Sequence, residues 1–144
     1  MTPKDGFSAE EREAMKQRAA ELRASKGLKG SAKREREAQA CADAIAAMED
    51  NDKQVAQLLD DLVTELAPDL DPKTLYGFPA YARDGKVVVF YQPATRWKSR
   101  YGTVAFDETA RLDDGPIWPT SFAVLGVTDE VRTRLRELVA KAAG

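Results

Sequence analysis

The sequence predicts an α+β domain: an antiparallel sheet of about four strands, covered by an N-terminal and a C-terminal core helix and preceded by a helical arm. Three observations predict it. Val55, Leu58, Leu59, Leu62, Val63 and Leu66 recur at helical spacing and form a wide apolar stripe. Asp84-Gly85 stands between two strand-like runs, and a type I′ turn, with positive φ at both central residues, favours that pair. A last segment opens on Thr128, Asp129 and Glu130 and carries Val131, Leu135, Leu138 and Val139 on one face.

Ten of the eleven aromatics lie between Tyr76 and Phe122, whereas residues 1–50 are rich in Ala, Glu, Lys and Arg. This shift divides the chain into an arm, 1–50, and a compact domain, 51–144. Within the arm, Ser8-Ala9-Glu10-Glu11 is a capping box, and Met15, Ala19 and Leu22 make a thin apolar seam. "SKGLKGS" (25–31) breaks the helix. A second helix is expected over Ala32–Met48, with Ala38, Cys41, Ala42, Ile45 and Met48 on one face. Seams this narrow form either a hairpin supported by the domain or a partly disordered arm.

The domain's helix starts at Asp52 and stops at Pro68. Strands follow at "PAYARD" (79–84), "KVVVFYQP" (86–93), "RYGTVAF" (100–106) and "SFAVLG" (121–126), with "DETARLDDGPIWP" as loop. Alternation sets Val87, Val89 and Tyr91 on one face of the second strand, and Val88, Phe90 and Gln92 on the other. Both faces are apolar, so this strand is central. The expected core is Leu58, Leu59, Leu62, Leu66, Val89, Phe106, Phe122, Leu135 and Leu138.

The chain has no histidine and one cysteine. Ser-His-Asp and Cys-His sites, His-ligated zinc and Cys-ligated clusters are therefore excluded within one chain. No run approaches the ~20 apolar residues of a membrane span, and the first thirty residues contain no apolar signal core. The expectation is a cytoplasmic protein. A formal net charge of −2 speaks against a surface built throughout for nucleic acid.

"LYGFPAY", "DGK-VVVFY", "W-K-S-R-Y-G" and the closing "SFAVLG…LRELVAKAA" resemble the YdhG-like family of small bacterial domains of unknown function, over about residues 52–144. Tyr76-Gly77-Phe78-Pro79-Ala80-Tyr81 is the most distinctive element. The resemblance implies a helix–sheet–helix fold. Some members are described as frataxin-like intracellular iron chaperones, which implies iron as an alternative ligand. Where many members have Lys-x-His, this chain has Lys98-Ser99-Arg100. A guanidinium stays protonated and serves neither as base nor as neutral metal ligand.

Three constellations could carry function. Tyr76 and Tyr81 flank a Gly and a Pro before the central strand, and Arg96, Trp97, Lys98 and Arg100 interleave cations with an aromatic. Guanidinium grips phosphate or carboxylate while aromatic rings stack on flat ligands. With Trp118, these residues form the candidate ligand-binding site, for a small anionic or aromatic ligand or a protein partner. Asp61 and Glu65, on the polar face of the core helix, are the metal ligands under the iron-chaperone alternative. Arg23, Lys26, Lys29, Lys33, Arg34 and Arg36 give the arm a basic run, with a docked macromolecule as a third possibility. No nucleophile–base pair, phosphate loop or dinucleotide fingerprint is present, so the reading is a binding domain without catalytic residues or cofactor.

Overall fold

Ser8 and Glu11 close the capping box: the Glu11 amide donates to Ser8 Oγ (3.1 Å) and the Ser8 amide donates to the Glu11 carboxylate (3.0 Å). The computed structural model describes residues 8–25 and 30–144, and here the box opens α1 (Ala9–Ser25). α2 spans Gly30–Ala46 and α3 spans Asp50–Leu66. The expected break at 25–31 falls mainly on 26–29, outside the described residues, as do Phe7, Lys26 and Lys29.

The sheet has five strands, one more than expected, in the order β1-β2-β3-β4-β5: Asp71–Leu75, Phe78–Arg83, Lys86–Gln92, Gly102–Phe106 and Ser121–Val124. Every neighbouring pair is antiparallel. The added strand is β1, "DPKTL", whose Asp, Pro and Lys are poor strand formers. It is an edge strand, where a proline lacking its N–H is tolerated.

Two tight turns set the registers. Asp84 and Gly85 have φ of 52° and 81°, as the hairpin signal requires. Tyr76 and Gly77 repeat the pattern between β1 and β2, with φ of 53° and 86° and Leu75 paired to Phe78. The β3–β4 connection carries one short helix, α4 (Ala94–Trp97), ended by Lys98 in the left-handed region.

Tyr81, Val89 and Phe106 stand opposite one another across β2, β3 and β4, and Tyr91 stands opposite Val104. This face joins Cys41 and Ile45 of α2, α3's Val55, Ala56, Leu59, Leu62 and Val63, and Leu135, Val139 and Ala142 of α5 (Asp129–Ala143) in one buried cluster. Leu58, Leu66, Phe122 and Leu138 pack against it only partly buried. Simple alternation fails at one place. A register shift opposite Tyr81 and Ala82 leaves Val88 as an extra residue, and Val88 and Val89 both enter the main cluster. Thr128 caps α5 by accepting from the Val131 amide at 3.2 Å.

The helices do not all share one face. Leu75, Phe78, Phe90 and Gln92 follow the alternation to the opposite side, where they meet Glu11, Ala14 and Met15 of α1. The expected seam of α1 is also corrected. Ala14 is the buried residue, while Met15 and Leu22 are 48% and 56% exposed. α2 packs along β1 and β2, burying Cys41 and Ile45 and leaving Ala42 exposed. Among the described residues no helix is long and apolar enough to cross a membrane.

Candidate functional site

The second face of the sheet is where the molecule is open. Phe78 and Phe90 stack at 5.7 Å between centroids, and Tyr76 leans on Phe78 at 6.3 Å. Together with Leu75, Met15 and Trp97 they line a cavity of about 340 Å³ roofed by α1. That volume lies at the small end of ordinary ligand sites, and the walls are chiefly apolar. The polar exceptions are Glu11, Gln92 and the indole of Trp97. Trp97 Nε1 is buried with no acceptor among the described residues.

The local sequence explains why Trp97 sits here. Pro93 fixes an extended residue that starts α4, whose single turn carries Arg96 and Trp97 back toward the β1–β2 hairpin. Arg96 donates to the Tyr76 carbonyl at 2.6 Å and lies 6.0 Å from the centre of the Phe78 ring. Asp52 holds the start of α4. Its carboxylate accepts from the Ala94 amide (2.9 Å), the Thr95 hydroxyl (3.0 Å) and the Thr95 amide (3.3 Å).

The residues singled out from the sequence are therefore divided. Tyr76 and Trp97 line the cavity and Arg96 braces it. Tyr81 is placed elsewhere: it is buried in the main core, and its hydroxyl donates to Asp60 at 2.8 Å. Register decides this, because Tyr81 follows Phe78 by an odd number of residues and so faces α2 and α3. Trp118 packs against the main core as well. Lys98 is exposed and pairs with Glu10 at 3.1 Å, and Arg100 is exposed with its guanidinium 5.5 Å from the Tyr101 ring centre. Phe78, Phe90, Leu75 and Met15 were missed as site residues. The signal available for them was the apolar second face of β2 and β3, which the strand pattern shows without saying what covers it.

The acidic helix face is engaged within the protein. Asp61 accepts from Gln57 at 2.9 Å, and Glu65 receives both guanidinium nitrogens of Arg136. That pairing holds the Glu65 carboxyl below its ordinary value. Among the described residues no three His, Cys, Asp or Glu side chains converge to hold a metal ion.

A second, wider cavity of about 760 Å³ lies on the other side of α1, between α1, α2 and the β1–β2 hairpin. Lys33 and Arg36 of the basic run line it, as do Lys73 and Arg96, facing Glu21, Glu37, Asp43 and Glu49. The charges are mixed, and Lys73 already pairs with Glu37 at 3.7 Å.

No protein family, no curated protein and no solved structure matches this chain.

Proposed function

We propose that this chain is a binding domain, and that its site is the cavity between α1 and the second face of the sheet. The ligand is a small flat aromatic molecule carrying a hydrogen-bond acceptor or an anionic group. One observation carries the reading: Trp97, which lines an otherwise apolar cavity, has a buried indole N–H with no acceptor among the described residues. An unpaired buried donor costs roughly 1–3 kcal/mol, which an acceptor on a ligand recovers. Phe78, Phe90 and Tyr76 supply the stacking surface.

The thiol and two of the four tyrosine hydroxyls are tied up in the fold, which favours binding over catalysis. The only thiol, Cys41, is buried, and burial pushes it up to about 11. Tyr81 and Tyr91 spend their hydroxyls on Asp60 and Asp52. Membership of the YdhG-like group and a cytoplasmic setting belong to the same proposal. They rest on the quoted residues and on the lack of disulfide-forming pairs. The engaged carboxylates give the iron-chaperone alternative no support.

The test uses Trp97 itself as the reporter, in a Trp118→Phe background. Naphthoate and naphthamide are titrated in turn. Saturable change in Trp97 fluorescence is expected, with binding about tenfold weaker once Trp97→Phe, read by calorimetry, removes the donor. Absence of saturable binding of either compound overturns the proposal.

A further inference from the structure

The roof of the cavity is held in an unusual way. α1 buries little apart from Ala14, and a cavity flanks it on each side, one against the sheet and one against α2. A helix with so small an apolar payload is not fixed by packing. Two carboxylates anchor it: Glu10, paired with Lys98 at 3.1 Å near its start, and Glu21 near its end. One Glu21 carboxylate oxygen accepts from the Gly77 amide at 2.7 Å and the other from the Tyr76 amide at 3.1 Å.

These two amides are the outward-facing donors of a two-residue hairpin turn. Successive N–H groups presented in this manner make a concave receptor for an anion. The turn departs from local preference in a telling way. Its first central residue is Tyr76 at φ 53°, where Asn or Gly is the comfortable choice. Tyr76 also lines the cavity, so the residue under backbone strain is shared by the receptor and the apolar site. A side chain at Gly77 would be strained by its φ of 86°, and its Cβ, 2.9 Å from Arg96 Nη2 and 3.1 Å from Gln17, would push those side chains aside. The Arg96 guanidinium bonded to the Tyr76 carbonyl adds positive charge beside the turn.

We propose that the Tyr76–Gly77 turn is a carboxylate-binding site, and that Glu21 is its internal occupant, latching α1 shut over the cavity. Glu21, Gly77 and Arg96 border the wider cavity and Tyr76 the apolar one. An aromatic carboxylate whose ring enters the apolar cavity and whose charge reaches past Tyr76 therefore displaces Glu21 from the two amides, and α1 moves aside. The ligand-displacement half rests on the binding reading given above. The latch half does not, because it concerns contacts made within the protein alone. The two halves assign distinct roles. Phe78, Phe90 and Trp97 recognise the ring, and the turn amides recognise the charge.

The decisive variant is Glu21→Ala in the full chain, with Glu21→Gln beside it to remove the charge while keeping an acceptor. Two measurements are made on each: amide hydrogen exchange without ligand, and calorimetric titration with naphthoate and with the uncharged naphthamide. Glu21→Ala is expected to speed exchange across α1 by about tenfold, as loss of a charge-assisted pair implies, while leaving α3 and β3 unchanged. It is expected to tighten naphthoate by a similar factor and to leave naphthamide alone, with Glu21→Gln between wild type and Ala in both readouts. Unchanged α1 exchange overturns the latch whatever binds. Equal gains for naphthoate and naphthamide overturn the displacement. Faster α1 exchange with neither compound binding leaves the latch standing and removes the cavity reading.

Discussion

The Tyr91 hydroxyl donates a 2.6 Å hydrogen bond to Asp52, tying the central strand to the first turn of α3. Asp52 is the one buried charged residue among those described, and its carboxylate is occupied by Tyr91, Ala94 and Thr95. The pair therefore joins three elements, α3, β3 and α4, through a single side chain. Because α4 carries Arg96 and Trp97, the position of the candidate site depends on this junction.

Asp52→Asn is expected to destabilise the domain by about 2–4 kcal/mol at neutral pH, since it leaves donors buried around a weaker acceptor. The pH dependence has a definite sign. Burial alone pushes the Asp52 carboxyl up, but the hydrogen bonds from Tyr91, Ala94 and Thr95 outweigh it and hold it below the ordinary aspartate value. A carboxyl depressed in the folded state adds stability that is fully present above its unfolded value. That stability drains away as pH falls through the folded one. Denaturant unfolding of both proteins from pH 7 into the acid range should show the gap narrowing as pH falls. A gap constant with pH would refute the assignment.

Gly102→Ala tests the same junction from the other side. A Cβ at Gly102 would fall on the Tyr91 hydroxyl oxygen and stand 2.6 Å from the adjoining ring carbon. Tyr91 cannot retreat without giving up Asp52. A loss of about 1–3 kcal/mol is expected, as for other overpacked sites, with a lower Tm. The same change at Gly115, whose Cβ would meet nothing within 4 Å, is expected to cost less, owing only to its φ of 70°.

Cys41 is expected to be inert toward thiol reagents in the folded protein. Its sulfur lies 3.9 Å from the Tyr81 hydroxyl in the buried core, and burial pushes the thiol up to about 11. Labelling by iodoacetamide at pH 8 should follow unfolding and not thiol ionisation. Tyr81→Phe should cost roughly 0.5–1.5 kcal/mol through the lost bond to Asp60, a value readable from denaturant midpoints. Fast labelling of the native protein would contradict the buried placement.

Two truncations separate the arm's helices. Deleting residues 1–29 removes α1 and is expected to leave a cooperatively unfolding domain, because Ala14 is its buried apolar residue among those described. Deleting residues 1–49 also strips Cys41 and Ile45 from the main core, at a further cost of several kcal/mol, roughly 2–5 by analogy with large core truncations. Equal stability of the two truncated chains would show α2 to be dispensable.

How much was legible follows from the range over which each signal acts. The capping box of Ser8 and Glu11, the cap at Thr128 and the Asp84-Gly85 turn are local. Each is decided by residues within a few positions, and each stands in the structure where the sequence places it. The strand β1 was not legible, because "DPKTL" has no strand preference of its own and acquires its conformation by pairing with β2. Tyr76-Gly77 was legible as a turn residue pair only in its glycine. That a tyrosine takes positive φ there is set by the hairpin and by Glu21, which is 55 residues away.

By itself, the sequence determined that this is a helix–sheet–helix domain with an apolar central strand, because periodicity and capping are properties of short segments. Only the tertiary structure decided that Tyr81 belongs to the core while Phe78, two apolar neighbours and Trp97 border a cavity. Alternation states which residues share a face of a sheet, but not which face the larger helices cover. Here α3 and α5 cover the face of Tyr81, and the sparsely apolar α1 is left to roof the other. The gap beneath it follows from that imbalance: Glu11, Ala14 and a half-exposed Met15 on α1 do not fill the space over Phe78 and Phe90.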